Sequence, residues 1–175
     1  MAASLEATEL TNEFKNAMRR LVSTISIITA AHNGEWSGMA ATAVSAVSLD
    51  PPSLVIGVNR NASLHHPISA GNRFCVNLLN TSHSGLVHPF SGKLKGAERF
   101  GIGVWKVHET GIPYLEQAMV NFFCKVDAQL DYGTHTLFIG LVEAVHIQGE
   151  IVPLLWQDGG FAATAPMESD APASE

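Results

Sequence analysis

The sequence predicts a single antiparallel β-barrel domain with few helices. Short apolar segments rich in β-branched residues alternate with turn-forming residues along most of the chain. Within 120–130, apolar residues alternate with mostly polar ones in the period of two that is typical of a strand. The sequence "DYG" separates this segment from another apolar one, which indicates an antiparallel neighbour. Strands and helices do not alternate regularly, so a parallel sheet is not predicted. The 175 residues, 46% of them hydrophobic, suffice for one core.

A helix is predicted ahead of the first strand. Apolar residues recur at helical spacing at Leu10, Phe14, Ala17, Met18 and Leu21. Thr11 is a suitable N-cap, and Arg19 and Arg20 suit the negative end of the helix dipole. Residues 1–9 are therefore expected to form a flexible amino terminus.

The remaining elements are predicted from periodicity and turn signals. Strands are predicted at 23–29, 53–58, 74–79, 120–130, 134–147 and 151–156. One or two helical turns are predicted within 63–70, with Ser63 as a possible N-cap. The folded domain is expected to span 10–161, and the polar segment 162–175 is expected to be disordered.

Composition excludes several classes of function. The net charge is −6 and the chain has no basic block, which argues against a nucleic-acid surface. Only 15% of residues are charged, which suggests that part of the surface is buried against a partner subunit. Cys75 and Cys124 lie in strand-like segments and are expected to be buried thiols. No signal peptide or membrane span is seen, so a cytoplasmic location without membrane attachment is expected.

Common motifs for nucleotide, metal or nucleophile chemistry are missing. The segment "GIGVWK" (101–106) has two of the three glycines of a dinucleotide-binding turn but not its strand–helix context. The eight histidines include His65–His66, which point apart on a regular element, and His83 and His88, which lack companion ligands. No metal site and no nucleophile elbow are predicted.

An uncharged polar segment, residues 42–63, is the candidate functional site. It carries hydroxyls at Thr42, Ser45 and Ser48, and then Asn59, Asn61 and Ser63. One interpretation is a strand-edge loop whose Ser and Thr side chains cap their own backbone. The other is a surface on which backbone groups bind the polar edge of a flavin, while a helix N-terminus binds its phosphate with little positive charge.

Several segments together resemble a known family. In order, they are "FKNAMRRLVSTISIITA", "GMAATAVSAVSLDPPSLVIGVNRNAS", "FCVNLLN", "HPFSG", "ERF" and "YGTHTLFIGLVEAV". Their order and spacing resemble the short-chain flavin reductases, in particular the reductase components of 4-hydroxyphenylacetate 3-monooxygenase and similar two-component systems. The resemblance extends from about Phe14 to about Phe161.

The resemblance implies a split β-barrel, an antiparallel Greek-key FMN-binding barrel that forms a homodimer. It implies an enzyme that reduces FMN or FAD with NADH or NADPH and supplies a separate oxygenase by diffusion of the reduced flavin. Cofactor contacts are implied for Thr42, Ala43, Val44, Ser45, Ala46, Ser48, Asn59, Asn61, Ala62, Ser63, Phe90, Ser91 and Trp156. His135 is the residue implied to bind the nicotinamide nucleotide.

Two positions depart from the family pattern. Many relatives carry Asp before the histidine, where this chain has Thr134, so the role of residue 134 stays open. After Trp156 the chain lacks the basic residue of relatives, which favours NADH over NADPH. Two alternatives remain at this point: a flavin-binding protein without reductase activity, and an oxidase resembling pyridoxamine-phosphate oxidase, although 42–63 contains only one basic residue, Arg60.

Overall fold

Antiparallel strands dominate the fold, which confirms the predicted fold class. The computed structural model describes residues 2–166. Its helices are α1 (Ala2–Met18), α2 (His65–Gly71) and α3 (Ser84–His88). Its strands are β1 (Ser23–Thr24), β2 (Ser26–His32), β3 (Glu35–Ala41), β4 (Val44–Leu49), β5 (Pro52–Asn59), β6 (Arg73–Leu78), β7 (Trp105–Val107), β8 (Pro113–Leu115), β9 (Val120–Tyr132), β10 (His135–Ile147), β11 (Leu155–Gln157) and β12 (Gly160–Ala162).

Seven of these strands form one sheet with the order β3-β2-β6-β9-β10-β5-β4. Every neighbouring pair in it is antiparallel. A smaller sheet, β1-β11-β12, and the hairpin β7–β8 complete the described strands. The segment between α3 and β7 contains a π-helical turn at Pro89–Lys93 and a 3-10 helix at Gly96–Gly101.

The hairpin β9–β10 is the longest element of the sheet, and its register is set by close packing. Two irregularities, after Ile139 and after Val142, interrupt its pairing. A Cβ atom at Gly140 would lie 2.4 Å from the Cζ atom of Phe74, so only glycine lets β10 pass this buried ring. Strand β10 also pairs with β5, which places His135 opposite Asn59.

A buried amide network joins the sheet to the β7–β8 hairpin. The Asn77 side chain donates to the Ile27 carbonyl at 2.7 Å and accepts from the Leu115 backbone N–H at 2.8 Å. Asn121 donates to the same Asn77 oxygen at 2.9 Å. Because an unpaired buried amide is costly, these bonds specify how β2, β6, β8 and β9 meet.

Several element boundaries differ from the prediction. Helix α1 begins at Ala2, so residues 2–9, predicted to be flexible, are helical, and Thr11 lies inside the helix rather than at its N-cap. The predicted strand 23–29 is two strands, because Ile25 leaves the small sheet and enters the core. The last predicted strand starts later, at Leu155.

The ends of the described region bear on two further expectations. Strand β12 ends at Ala162, and residues 163–166 have no regular secondary structure. The rest of the tail predicted to be disordered, 167–175, lies outside the described residues. Within 2–166, no helix combines the length and the apolar character needed to cross a bilayer.

Both cysteines are buried and free, as predicted. Burial raises the pKa of the Cys75 thiol well above its usual value, and the neighbouring Cys124 adds to this. Burial, followed by the nearby Glu143 carboxylate, raises the pKa of Cys124 to about 12. Both thiols therefore stay protonated in the folded protein at pH values where the unfolded chain ionises.

The thiols predict how stability depends on alkaline pH. Their pKa values are raised in the folded state above the unfolded value of about 8.5, so their contribution is complete below pH 8.5 and is lost as the pH rises above it. The free energy of unfolding, measured by urea denaturation, should fall between pH 7 and 10. It should fall less over this range in the Cys75→Ala/Cys124→Ala variant. Equal slopes for the two proteins would contradict the assignment.

Candidate active site

A cavity opens where β3 passes into β4, beside the end of β5. We call it the outer cavity; its volume is about 320 Å³. It is lined by Ile25, Met39, Ala40, Ala41, Thr42, Ala43, Gly57, Asn59, Val87, Ser91, His135 and Trp156. One wall consists of small residues, so a flat ligand can approach the backbone closely.

A second cavity adjoins the first and shares Met39, Ala40 and Ser91 with it. We call it the inner cavity; its volume is about 390 Å³. Its other lining residues are Ala62, Ser63, Phe90, Gly92 and Arg99. Together the two cavities fall in the size range of clefts that bind small molecules, roughly 300–1,000 Å³.

Arg99 is the charged group of the inner cavity. Its side chain is buried, and its guanidinium donates to the Leu94 carbonyl at 2.7 Å and to the Gly38 carbonyl. Nη1 lies 3.5 Å from the hydroxyl oxygen of Ser63. In the described part of the chain no carboxylate forms an ion pair with it. Its positive charge is therefore available to an anion in the inner cavity.

Phe90 separates the inner cavity from the core, and Gly38 makes room for it. The Phe90 ring packs against Phe100 and Trp105, with ring centroids 5.3 and 5.2 Å away. A Cβ atom at position 38 would lie 2.6 Å from the Phe90 ring. The absence of a side chain at Gly38 thus leaves the space that the Phe90 ring occupies. The next residue, Ser91, donates its hydroxyl to the Val87 carbonyl at 2.7 Å.

The backbone between β3 and β4 leaves hydrogen-bond donors at the outer cavity. The carbonyl of Thr42 accepts from the Val44 N–H at 2.9 Å, and that of Ala43 accepts from the Gly57 N–H at 3.0 Å. The N–H groups of Thr42 and Ala43 themselves have no acceptor among residues 2–166. Thr42 and Ala43 are exposed residues, and N–H groups that have no protein acceptor and lie beside a small-residue wall suit the acceptor-rich edge of a heteroaromatic ring.

His135 and Trp156 reach the outer cavity from different sheets. His135 follows the β9–β10 turn and is exposed. Trp156 pairs with Ser23 in the small sheet, and its ring lies 5.6 Å from that of Phe161. The turn after Trp156 is bound to the end of α1, because Arg19 Nε donates to Asp158 Oδ1 at 2.7 Å and the Asp158 N–H donates to the Arg19 carbonyl at 3.1 Å.

The structure brings together nine of the predicted site residues: Thr42, Ala43, Asn59, Ala62, Ser63, Phe90, Ser91, His135 and Trp156. Ser63, however, is not an N-cap, since α2 begins after Leu64 and has no side-chain cap. The inner cavity also contains the buried Arg99, a positive charge that the uncharged segment 42–63 did not predict, and the binding of a phosphate beside the start of α2 stays a prediction.

Five predicted residues do not line either cavity: Val44, Ser45, Ala46, Ser48 and Asn61. Strand β4 runs away from the site, and Ser48 pairs with Ser53 at the far end of β5. The hydroxyl of Ser48 accepts from the Asp50 N–H at 3.1 Å and so supports the turn. Asn61 donates its N–H to Asn59 Oδ1 at 2.9 Å, which closes a local turn.

Sequence reasoning missed eight residues that line the two cavities. These are Ile25, Met39, Ala40, Ala41, Gly57, Val87, Gly92 and Arg99. All of these except Val87 lie in segments that the family resemblance includes, and among them only Arg99, in "ERF", is a charged residue of the kind that binds a phosphate.

Comparison with known proteins identifies the family. Residues 18–165 match the family model described as "Flavin reductase like domain". The chain belongs to this family. The resemblance read from the sequence is thereby confirmed.

Named relatives agree with this assignment. The chain is 37% identical over 155 residues to the reductase component of FADH(2)-dependent resorcinol hydroxylase from Rhizobium sp. (strain MTP-10005), covering 87% of each chain. It is 42% identical over 127 residues to FMN reductase (NADH) RutF from Agrobacterium fabrum (strain C58 / ATCC 33970), covering 73% of each. The structure of flavin reductase PheA2 in its native state superposes with a TM-score of 0.80 at 29% identity, covering 89% of this chain and 98% of that one.

Gly38→Ala should disturb the site through Phe90. The added methyl group must displace a ring that is buried and packed on both sides, which costs about 1–3 kcal/mol of unfolding free energy. Flavin affinity should fall in the same variant, because Phe90 and Ser91 line the inner cavity. Urea denaturation and fluorescence titration with FMN measure the two effects.

The matched control is Gly85→Ala. Gly85 lies in α3, and a Cβ atom there would meet no atom within 4 Å. This substitution should leave both stability and affinity within error or raise stability slightly. Equal behaviour of the two variants would contradict the role given to Gly38.

Proposed function

We propose that this chain is a flavin reductase that oxidises NADH, reduces FMN or FAD, and releases the reduced flavin to a separate oxygenase component. The observation that carries the proposal is the joined pair of cavities, one with a small-residue wall and free N–H groups and the other with the buried Arg99. The names of the relatives, an NADH-dependent FMN reductase and the reductase component of a hydroxylase, support it.

The residues of the two cavities fit the two ends of a flavin. The wall formed by Ala40, Ala41 and Gly57 would accommodate the isoalloxazine ring. The N–H groups of Thr42 and Ala43 would donate to the ring edge at which negative charge increases on reduction. Arg99 and the Ser63 hydroxyl would donate to the phosphate in the inner cavity, beside Ser91.

The nicotinamide nucleotide would enter the outer cavity beside the ring. His135 would orient its carboxamide or its phosphates, and Trp156 would cover the stacked rings from the opposite side. When both molecules are bound, hydride passes from nicotinamide C4 to flavin N5, chemistry that the cofactors themselves supply. The protein must hold the reacting atoms about 3–3.5 Å apart and exclude water, and no strong acid or base is needed.

NADH is the proposed reductant in preference to NADPH. No basic residue follows Trp156 directly, where a second phosphate would need one. Arg19, which contacts the turn after Trp156, is paired with the carboxylate of Asp158. The relative that is named as an NADH-dependent FMN reductase supports the same preference.

We also propose a homodimer. Leu10, Phe14 and Met18 project from α1 and are 67%, 62% and 46% exposed. An apolar stripe of this kind on a helix is typical of a surface that packs against another copy. A second subunit there would also account for the small number of charged residues. The proposed location is the cytoplasm, which the two unpaired buried thiols support.

A steady-state assay tests the proposed activity. Purified protein is mixed with NADH or NADPH and with FMN, FAD or riboflavin, and both nucleotide oxidation and anaerobic flavin bleaching are followed. NADH oxidation that requires added or bound flavin is the expected result. Flavin binding without nucleotide oxidation would instead identify a binding protein, and the proposed function would be wrong.

Replacing Arg99 tests which end of the flavin lies in the inner cavity. Loss of a charged hydrogen-bond donor should weaken FMN binding by about ten-fold or more in Arg99→Gln. Riboflavin, which has no phosphate, should bind the variant as it binds the wild type. Fluorescence titrations with the two flavins give the ratio of their dissociation constants. A general loss of stability would weaken the binding of both flavins alike and so would not change this ratio.

An equal loss for both flavins would contradict a phosphate contact. The matched control is Arg73→Gln, since Arg73 is a half-buried arginine of β6 that pairs with Glu143 and lines neither cavity. This control should keep the preference for FMN over riboflavin.

A further inference from the structure

The cation of the 42–63 segment, Arg60, does not face either cavity. Its backbone N–H donates to the Thr134 carbonyl at 2.9 Å. Its guanidinium donates to the Gly133 carbonyl and lies 4.0 Å from Asp131 Oδ2. Arg60 therefore binds both residues of the β9–β10 turn and also the strand that leads into it.

This turn determines where His135 lies. It consists of two residues, Gly133 and Thr134, and Gly133 has a φ of 55°. The next residue, His135, pairs with Tyr132 across the hairpin and with Asn59 on β5. A two-residue turn has little freedom once its carbonyls are bound, so Arg60 limits the movement of His135 relative to Asn59.

Two partly buried hydrogen bonds support the carboxylate partner of Arg60. The hydroxyl of the buried Thr136 donates to Asp131 Oδ1 at 2.5 Å. Since this hydroxyl is a donor there, its oxygen accepts from His65 Nε2, which lies 2.9 Å away on α2. One carboxylate oxygen of Asp131 is thus bound by Thr136 of β10, which contacts His65 of α2, and the other oxygen lies near Arg60.

Thr134 adds a contact to the histidine ring itself. Its hydroxyl lies 2.9 Å from His135 Nδ1. With Nδ1 engaged in this bond, Nε2 is the ring nitrogen that remains for a ligand in the outer cavity. The hydroxyl at position 134 therefore orients the ring, whereas Arg60 positions the backbone on which the ring is carried.

We propose that Arg60 and Thr134 are positioning residues for His135 and determine the affinity of the enzyme for the nicotinamide nucleotide. This inference rests on the proposed function, in which His135 contacts that nucleotide. It assigns Arg60 to the nucleotide side of the site and not to the flavin phosphate, which is bound by Arg99.

Arg60→Gln removes the guanidinium and Arg60→Lys keeps only the charge. The first variant should raise the KM for NADH about ten-fold, with kcat changed little and the Kd for FMN unchanged. Arg60→Lys should restore part of the affinity through Asp131. In an His135→Ala background, Arg60→Gln should add no further effect, because the residue that it positions is gone.

Thr134 provides a second pair of variants that leave the turn backbone intact. Thr134→Ser keeps the hydroxyl and should keep the KM, whereas Thr134→Val removes it and should raise the KM several-fold. Lys106→Gln is the control, since Lys106 forms an exposed ion pair with Glu116 on the distant β7–β8 hairpin. It should leave KM, kcat and Kd unchanged.

The outcomes separate this inference from the proposed function. A loss of FMN affinity in Arg60→Gln, or an unchanged KM in both Arg60→Gln and Thr134→Val, would overturn it. If the wild type lacks reductase activity, the NMR signal of the His135 ring replaces the kinetics. A signal shifted in Arg60→Gln and Thr134→Val but not in Lys106→Gln supports positioning, and an unshifted one overturns it.

Discussion

The site depends on the pairing of β10 with β5. This register places His135 opposite Asn59 at the edge of the outer cavity, and every residue along the ladder shares in fixing it. A slip of one residue would turn His135 to the other face of the sheet. Packing opposes this slip, because only a glycine fits where β10 passes the buried ring of Phe74 and a slip would bring a larger residue to that point. The catalytic geometry is therefore a consequence of core packing several residues away from the cavity.

Two arginines near this ladder have different electrostatic roles because their partners differ. Arg99 is held by the carbonyls of Gly38 and Leu94, which are neutral, so its full positive charge remains available in a buried cavity. Arg60 faces the Asp131 carboxylate and is bound to backbone carbonyls of the turn. Its charge is compensated locally and screened by solvent. Only the arrangement of Arg99 leaves its charge available to a phosphate, although Arg60 is the arginine that lies within the polar segment.

The sequence predicted those features that depend on local pattern and missed those that depend on register. Alternation predicted β9, the turn signal "DYG" predicted β10 as its antiparallel neighbour, and the family resemblance pointed to His135, which lines the outer cavity. By contrast, Ser45 and Ser48 were predicted to lie in the site because they follow Thr42 closely in sequence. Both belong to β4, which pairs along β5 in the direction away from the cavity. Arg99 lies 36 residues from Ser63 and reaches it only through the turns between α3 and β7. The helix over residues 2–9 was missed because its composition lacks a start signal at the position where the helix begins.

The charged and aromatic residues of the site differ in exposure, and this difference bears on how a flavin could be exchanged. Arg99 is 8% exposed, whereas Trp156 is 37% exposed and Thr42, Ala43 and His135 are also accessible. A phosphate bound inside contributes affinity and orientation, but the open ring end leaves part of the apolar surface of a flavin in contact with water. Because buried apolar area contributes about 25 cal/mol per Å², an incompletely covered ring forfeits affinity. A site with an anchored phosphate and an open ring end therefore suits a protein that binds oxidised flavin, reduces it and lets it leave.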